Sequence, residues 1–226
     1  MKKIGKKGSQ VGMVLSFIIF VTSMFFIYLI VSPYIARESS KSNSFDLLKE
    51  NVLANLTSDV WVFRVNGSLS GCIQMEIPVI ISGAESVAFG EGSSISSSVS
   101  GGYIFVEEGA SRIKVYYSDL IVNPNPFLDA GCIETVPDST SLEKAITEKS
   151  IISLMDEFSA NYNSLKEELN VFSSDDFDLY FIYSNGTTIG EIRRDPSTEV
   201  YAEELKIYYL SSGAQNEVGI LRVKLW

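Results

Sequence analysis

Residues 11–31 read VGMVLSFIIFVTSMFFIYLIV, a run of 21 residues that contains no charged side chain. An α-helix rises about 1.5 Å per residue, so this run is roughly 31 Å long as a helix and matches the ~30 Å hydrocarbon thickness of a bilayer. The sequence therefore predicts a single transmembrane helix, which we place at residues 9–33, and a location in the cell membrane.

The charges on either side of the apolar run indicate its orientation. Four lysines precede it, at positions 2, 3, 6 and 7, and no acidic residue does. Positively charged flanks stay on the cytoplasmic side of a membrane. We therefore expect a cytoplasmic N-terminus and an extracellular C-terminal domain.

The predicted outer part is strongly acidic. It contains all 28 acidic residues and 14 of the 18 basic residues, which gives it a formal charge of −14. Such a domain repels phosphate backbones and anionic headgroups, so nucleic acid is not an expected partner. A solvated acidic surface and a basic protein partner both agree with this charge.

The leader does not fit an ordinary secretory signal, whose apolar core has about 7 to 15 residues and is followed by a small-x-small cleavage site. Residues 6–11, KKGSQV, instead place basic residues and a glycine before the apolar run. This arrangement resembles the class III signal peptide of archaeal type IV pilin-like proteins, over about the first 31 residues. The resemblance implies cleavage after Gly8, so that Ser9 becomes the N-terminus and the apolar helix is retained.

Small residues within the apolar run bear on assembly. Gly12, Ser16 and Ser23 lie four and seven residues apart, on the helix face that also carries Ile19. Small residues let membrane helices approach closely, so this face could pack against the same helix of another copy or of other pilin-like subunits. The alternative is that any apolar run of this length contains a few small residues. Lipid is the other expected partner.

The whole chain is expected to be α+β. We divide it into a basic leader at 1–8, the transmembrane helix at 9–33, a neck and stalk helix at 34–58, a β-rich subdomain at 59–137, and a helix plus antiparallel sheet subdomain at 138–226. Pro33 is expected to end or kink the first helix, because proline lacks a backbone N–H. Serine-rich residues 37–44 then read as a flexible neck. The stalk helix follows from Phe45, Leu48, Val52 and Leu56, which recur at helical spacing.

In the β-rich part, Asn66-Gly67 is a strong signal for a two-residue hairpin turn. A second hairpin is expected at Glu108-Gly109, between strands at 103–107 and 112–117. Residues 90–102 are mostly serine and glycine, so we expect a loop there.

The last part should contain one long amphipathic helix packed on an antiparallel sheet. Thr140 and Glu143 have the spacing of a capping box, and apolar residues recur at helical spacing from Leu142 to Leu169. Four strands are predicted after it, at 177–183, 187–193, 200–210 and 218–226. Asn185-Gly186 marks a hairpin turn between the first two.

Cys72 and Cys132 are the two cysteines of the chain, and each follows a glycine. Both lie in the predicted outer part, where oxidising conditions favour a disulfide; two buried thiols are the alternative. Three sequons give the candidate glycosylation sites Asn55, Asn66 and Asn185, the last two on predicted turns. Chance alone predicts about two such triplets in a chain this rich in serine and threonine, so the number of sequons is not informative.

Two segments resemble each other: residues 114–117 read KVYY and residues 206–209 read KIYY. The match hints at duplicated β units. Strands use tyrosine and valine so often that such matches also arise by chance.

Catalysis is discouraged by the composition, since the chain has no histidine. This excludes histidine-based acid–base chemistry, Ser-His-Asp and Cys-His arrangements, and the usual zinc ligand sets. A pair of carboxylates could act in a surface hydrolase, but nothing selects such a pair. Asp175, Asp176 and Asp178 could bind calcium, but they lack the glycine and distal glutamate of a calcium loop, so we favour helix-to-strand capping. We predict no catalytic residues, no metal site and no cofactor.

These observations favour a non-enzymatic cell-surface protein, a pilin-like or pseudopilin-like structural or adhesive component held by its N-terminal helix. The alternative is a monomeric, membrane-tethered ectodomain that binds an extracellular ligand or an envelope partner. Substitution of Ser16 by leucine separates them, because it should block assembly in the first case and be silent in the second.

Overall fold

The computed structural model describes residues 7–67, 71–107, 111–127, 131–190 and 200–226, and for residues 7–11 and 33–40 it describes the backbone alone. The chain divides into two units, Met1–Asp46 and Leu47–Trp226. The fold is α+β, with one N-terminal apolar helix and sheets that are antiparallel apart from one short parallel pairing.

The first helix, α1, is a single helix of 50 residues, Lys7–Leu56. It continues through Pro33 and residues 37–44, so the predicted helix end and the flexible neck are wrong. A proline inside a helix removes one backbone hydrogen bond and costs about 3 kcal/mol. This loss is confined to one turn, and a helix of 50 residues can continue past it. The segment Gly12–Ser32 has a mean hydropathy of 2.7 and the length and composition shared by membrane anchors and signal sequences.

The end of α1 has the apolar face that its sequence predicts. Phe45, Leu48, Val52 and Leu56 are each at most 7% exposed, and the last two are fully buried. The chain passes from Leu56 directly into the first strand. The predicted stalk helix is therefore confirmed as the last turns of α1.

Thirteen strands and two helices follow in the described residues. They are β1 Thr57–Asn66, β2 Ile73–Glu76, β3 Glu85–Gly90, β4 Ser93–Ile95, β5 Ser97–Ser100, β6 Tyr103–Val106, β7 Arg112–Ser118, β8 Ile133–Glu134, β9 Ser139–Ile146, α2 Glu148–Ala160, α3 Tyr162–Glu168, β10 Phe177–Ile182, β11 Thr188–Ile189, β12 Tyr201–Leu210 and β13 Asn216–Leu225.

These strands form three sheets. The first sheet has the order β4-β3-β7-β1-β9, the second β5-β6-β2-β8 and the third β11-β10-β13-β12. Because β9 pairs with β1, the first sheet draws strands from both sides of residue 137.

The two faces of β1 belong to different cores. Phe63 and Val65 pack toward the second sheet in a cluster that includes Met75 and Ile104. On the opposite face, Val60 and Val62 pack in a second cluster of buried residues: Val87, Tyr116, Ile121, Leu210 and Ala214. A strand that is buried on both faces must lie inside its sheet.

Both hairpins predicted for the β-rich part are wrong. After Asn66-Gly67 the chain does not fold back, because β1 pairs with β7 and β9 while β2 pairs with β6 and β8. Strands β6 and β7 exist where they were predicted, but they belong to different sheets. The turn residues Glu108 and Gly109 lie outside the described residues.

Residues 90–102 do not form a loop but contain β4 and β5. Ser86 and Ser97 are fully buried, and the Ser97 hydroxyl donates to the Ser86 carbonyl oxygen at 2.7 Å. Serine can be buried here because its side chain is small and its hydroxyl finds a hydrogen-bond partner inside the protein.

The helix predicted from Thr140 begins later. Residues 139–146 are β9, an edge strand along β1, and the helix starts at Glu148. Thr147 is its N-cap, and Ser150 completes a capping box in place of the predicted Thr140 and Glu143. The helical pattern holds from Ile151 onward, although the helix is divided at Asn161 into α2 and α3.

The third sheet confirms the four strands predicted for the last part of the chain. Helix α2 packs on β10, where the rings of Phe158 and Phe177 lie 5.4 Å apart. The turn between β10 and β11 is closed by the Tyr183 N–H, which donates to the Thr187 carbonyl at 2.8 Å, and Gly186 has a φ of 84°. Of the predicted strand 187–193, residues 191–193 lie outside the described residues.

Candidate functional site

The residues predicted for processing and helix packing lie on α1. Gly8 and Ser9 are in its first turns, where the backbone alone is described. Gly12, Ser16 and Ser23 are exposed, and a Cβ added to Gly12 would have no atom within 4 Å.

Cys72 and Cys132 form a disulfide. It joins the start of β2 to the residue before β8. The Ile133 N–H donates to the Cys72 carbonyl at 3.0 Å, and the Thr135 N–H donates to the Gln74 carbonyl at 2.9 Å. The predicted pairing is confirmed, and it fixes the parallel contact of β2 with β8.

The three sequons have different surroundings. Asn185 is exposed at a hairpin turn, where its side-chain oxygen accepts from the Thr187 N–H. Asn66 is exposed as well, but residue 68 of its sequon lies outside the described residues. Asn55 is in the last turn of α1 and donates to Glu168 Oε1 at 2.7 Å. Of these three, Asn185 presents its amide in the most accessible setting.

The three aspartates at 175–178 belong to the connection into β10. Asp176 Oδ1 accepts from Lys166 Nζ and from the Tyr162 hydroxyl, both at 3.0 Å, and its backbone pairs with Trp226. Asp178 is 1% exposed. Within the described part of the chain, no group of three or more His, Cys, Asp or Glu residues is placed to hold a metal ion.

A cleft of about 360 Å³ lies between the first sheet and the end of the third. Its floor is the face of the first sheet that carries Val60 and Val62, and its wall is formed by β12 and the start of β13. We call it the tyrosine cleft. The lining residues with polar side chains are Thr57, Lys114, Tyr116, Glu143, Lys144, Tyr208, Tyr209 and Asn216. The side chain of Lys144 points to the opposite face of the sheet, where it pairs with Asp59.

The two similar segments of sequence meet at the tyrosine cleft. In each, the lysine stands over the ring of the first tyrosine: Lys114 Nζ is 4.4 Å from the centroid of Tyr116, and Lys206 Nζ is 5.3 Å from that of Tyr208. Both of these tyrosines line the cleft. Because successive strand residues point to opposite faces, the second tyrosine of each segment is directed away from the lysine.

These inward tyrosines are buried and hydrogen-bonded. The Tyr117 hydroxyl accepts from the Ile81 N–H at 2.8 Å, and the Tyr209 hydroxyl donates to Glu217 Oε2 at 2.8 Å. Burial, and then the hydrogen bond to the Glu217 carboxylate, raise the pKa of Tyr209 well above its usual value. The Tyr209 hydroxyl links β12 to β13 beside the cleft through its bond to Glu217.

Ion pairs order the charged residues around the cleft. Arg64 Nη2 donates to Glu143 Oε1 at 2.6 Å, and this bond is the largest cause of the lowered pKa of Glu143. Lys144 Nζ is 2.8 Å from Asp59 Oδ1. Lys114 Nζ donates to the Tyr116 hydroxyl at 2.6 Å. The cleft thus presents the Lys114 ammonium group and the Glu143 carboxylate, whose pKa is lowered, beside aromatic rings.

Sequence reasoning did not identify this site. The similarity of the two segments was the available signal, but composition explains it equally well. Strand β9, which belongs to the first sheet and contributes Glu143 to the cleft, was assigned to a helix. Comparisons with protein-family models, with curated proteins and with solved structures give no match to this chain.

Proposed function

We propose that the protein is a non-enzymatic, single-pass cell-surface protein of the pilin-like or pseudopilin-like kind, anchored in the membrane by the N-terminal part of α1. The observation that carries this proposal is the segment Gly12–Ser32. Its large apolar side chains, from Met13 to Val31, are 42–74% exposed. Exposure of so many adjacent apolar side chains to water is unfavourable, and burial in lipid or among other helices removes that cost.

The pilin-like form of the proposal is supported by the leader and by the length of α1. The glycine and lysines of the class III pattern precede the apolar segment directly. The same helix continues to Leu56. The acidic C-terminal part would then lie outside the cell, where a disulfide can form and persist.

The alternative, a monomeric tethered ectodomain that binds a ligand, is favoured by one specific observation. The tyrosine cleft presents an exposed aromatic ring, Tyr208, beside charged groups, which is a common composition for a recognition site. The two proposals differ in what the exposed face of α1 contacts.

N-terminal sequencing of the protein extracted from membranes tests the anchor and its processing. A start at Ser9 supports pilin-type cleavage, whereas a start at Met1 supports a plain anchor. A start beyond Ser32 would overturn both, because the outer part would then be released. Protease added to intact cells should degrade the acidic domain; its protection would contradict the proposed orientation.

Assembly is tested by Ser16→Leu, with Thr22→Leu as the matched control. Ser16 lies on the face of small residues, whereas Thr22 lies about 90° around the helix from the centre of that face and donates to the carbonyls of Ile18 and Ile19. Both variants should insert into membranes. Cross-linking between copies should be lost in Ser16→Leu and retained in Thr22→Leu. Equal cross-linking in both variants would contradict a helix-packed assembly.

A further inference from the structure

We propose that the tyrosine cleft binds the terminal sugar of a glycan, and that this sugar carries a single carboxylate. The cleft lies wholly within the unit Leu47–Trp226. The proposal therefore concerns the ectodomain by itself and does not depend on how α1 is processed or assembled. It gives the proposed surface protein a ligand class.

The size and lining of the cleft agree with a small polar ligand. Its volume of about 360 Å³ is at the lower end of the range for small-molecule sites. Val60 and Val62, which form its floor, are fully buried and offer no apolar surface to a ligand. Apart from the half-buried Ala145 and Ile146, the groups that reach solvent are polar or aromatic, so a lipid chain would find little to contact.

An exposed aromatic ring supplies the sugar-binding surface. Tyr208 is 67% exposed, whereas its neighbours Ile207 and Tyr209 are buried, because its side chain points to the opposite face of β12. The apolar C–H face of a pyranose ring stacks on such a tyrosine. The sugar hydroxyls can bond to polar groups beside it, and here Glu143 and the Asn216 amide lie on the same cleft lining.

The charge of the cleft selects an acidic sugar. Lys114 is half-buried, and one of its three N–H donors goes to the Tyr116 hydroxyl. Lys144 and Glu143 have partners of their own in Asp59 and Arg64. The side chain of Lys144 points to the opposite face of the sheet, so Lys114 is the ammonium group that the cleft offers to a ligand, whereas the protein beyond residue 31 carries a formal charge of −14.

The contrast between a positive group in the cleft and an acidic surface around it favours a ligand with a single negative charge. A carboxylate held by Lys114 forms a charge-assisted hydrogen bond in a partly desolvated site. A long polyanion would have to lie along the acidic surface that surrounds the cleft, and it would be repelled there. A single uronic or similarly acidic unit at the end of a chain avoids that repulsion.

The test uses the full chain in neutral detergent micelles and three small probes, followed by NMR titration. Methyl β-D-glucuronide has both the ring and the carboxylate, methyl β-D-glucoside has the ring alone, and acetate has the carboxylate alone. The glucuronide should bind at least about fivefold more tightly than either of the others, since it makes both contacts. Equal binding of the two glycosides would overturn the charge selection, and binding of acetate as tight as that of the glucuronide would overturn the sugar.

Substitutions locate the site. Tyr208→Ala and Lys114→Gln should each weaken glucuronide binding about tenfold. Phe172→Ala and Lys149→Gln are matched controls, because Phe172 is 60% exposed and Lys149 is exposed, and neither lines the cleft. Both controls should bind like the unmodified protein.

Lys114→Arg keeps the positive charge and should retain most of the affinity, which separates a loss of charge from a loss of folding. Unchanged binding in both Tyr208→Ala and Lys114→Gln would overturn the assignment of the cleft. No binding of the glucuronide by the unmodified protein would overturn the proposal while leaving the membrane anchor and its processing untouched.

Discussion

Removal of the disulfide should cost a large share of the stability of the outer domain. Cys72 and Cys132 are 60 residues apart in sequence, so their bond closes a long loop in the unfolded chain. Loop-closure entropy for this length is about 14 cal/mol/K, which corresponds to about 4 kcal/mol at 25 °C. Stabilities of single domains are typically about 5–15 kcal/mol, so such a loss would be prominent.

The structure also indicates which part of the domain should unfold first without the disulfide. Strand β8 has two residues, and both are exposed, so little buried surface holds it on β2. Without the disulfide, the contact rests on the hydrogen bonds to the carbonyls of Cys72 and Gln74. We expect β8 to separate from β2 first and the second sheet to be weakened as a consequence.

The assay compares the oxidised protein with the Cys72→Ser/Cys132→Ser double variant in urea, with the full chain in micelles. Fluorescence of Trp61 and Trp226 reports on the unit Leu47–Trp226, whereas far-UV circular dichroism would also detect the micelle-bound helix. With a slope of about 2 kcal/mol per M, the midpoint should fall by about 2 M. Reduction of the unmodified protein is the control and should give the same midpoint. A fall of less than about 0.5 M in the double variant would refute the loop-closure argument.

Three further changes test the packing and the titration of the same unit. Leu56→Ala should destabilise it by about 2–5 kcal/mol because Leu56 is fully buried, whereas Leu47→Ala, at a side chain that is 43% exposed, should cost less than about 1 kcal/mol; urea midpoints compare the two. Gly219→Ala would place a Cβ inside the ring of Phe181 and should cost about 1–3 kcal/mol, and a midpoint equal to that of the unmodified protein would contradict the observed contact. Folding raises the pKa of Tyr209, so its neutral form is favoured in the native state and this contribution is present below pH ~10 and lost as the pH rises further. The unmodified protein should therefore lose stability between pH 9 and 11, and Tyr209→Phe should lose less over the same range, as measured by unfolding at both pH values.

The elements that sequence predicts well are those that short-range patterns define. The turns of α1 from Phe45 to Leu56 place an apolar residue on the same face every three or four positions, and that face is buried. The strands β10 to β13 follow one another with short connections at two of their turns, so local signals such as Asn185-Gly186 suffice. The disulfide was predictable because the chain has two cysteines and the expected exterior location favours oxidation.

The misplaced helix start has a physical reason that sequence spacing alone does not reveal. Thr140 and Glu143 have the spacing of a capping box, but Glu143 is committed to Arg64 across the pair of strands β1 and β9. The capping residues that form are Thr147 and Ser150, and the Ser150 hydroxyl also donates to the Leu56 carbonyl at 2.9 Å. The pairing of β9 with β1, a strand far away in the sequence, thus determined which of the two possible capping boxes forms.

The tyrosine cleft was beyond sequence reasoning because its parts come from five strands, including β1, which carries Val60 and Val62. Lys114 and Tyr116 are on β7, Glu143 is on β9, Tyr208 is on β12 and Asn216 is on β13. A strand pattern tells which side chains share a face of one strand, but not which strand lies beside it. The similarity between residues 114–117 and 206–209 gained a meaning only when both segments were found at one cleft.

The failure of the hairpin at Asn66-Gly67 points to information that the sequence did contain. Residues 60–65 place apolar side chains on both faces, with Val60 and Val62 on one and Phe63 and Val65 on the other. A hairpin with β2 would have given β1 one partner, and a strand that is apolar on both faces is most stable in the interior of a sheet with two. Both partners of strand β1, β7 and β9, come from later in the chain. This long-range pairing forms the face of the sheet on which the cleft lies. A turn signal next to a strand with two apolar faces is therefore weaker evidence for a hairpin than the same signal next to a strand with one polar face. A strand with two apolar faces needs two neighbouring strands, and strands from later in the chain compete with the strand that follows the turn.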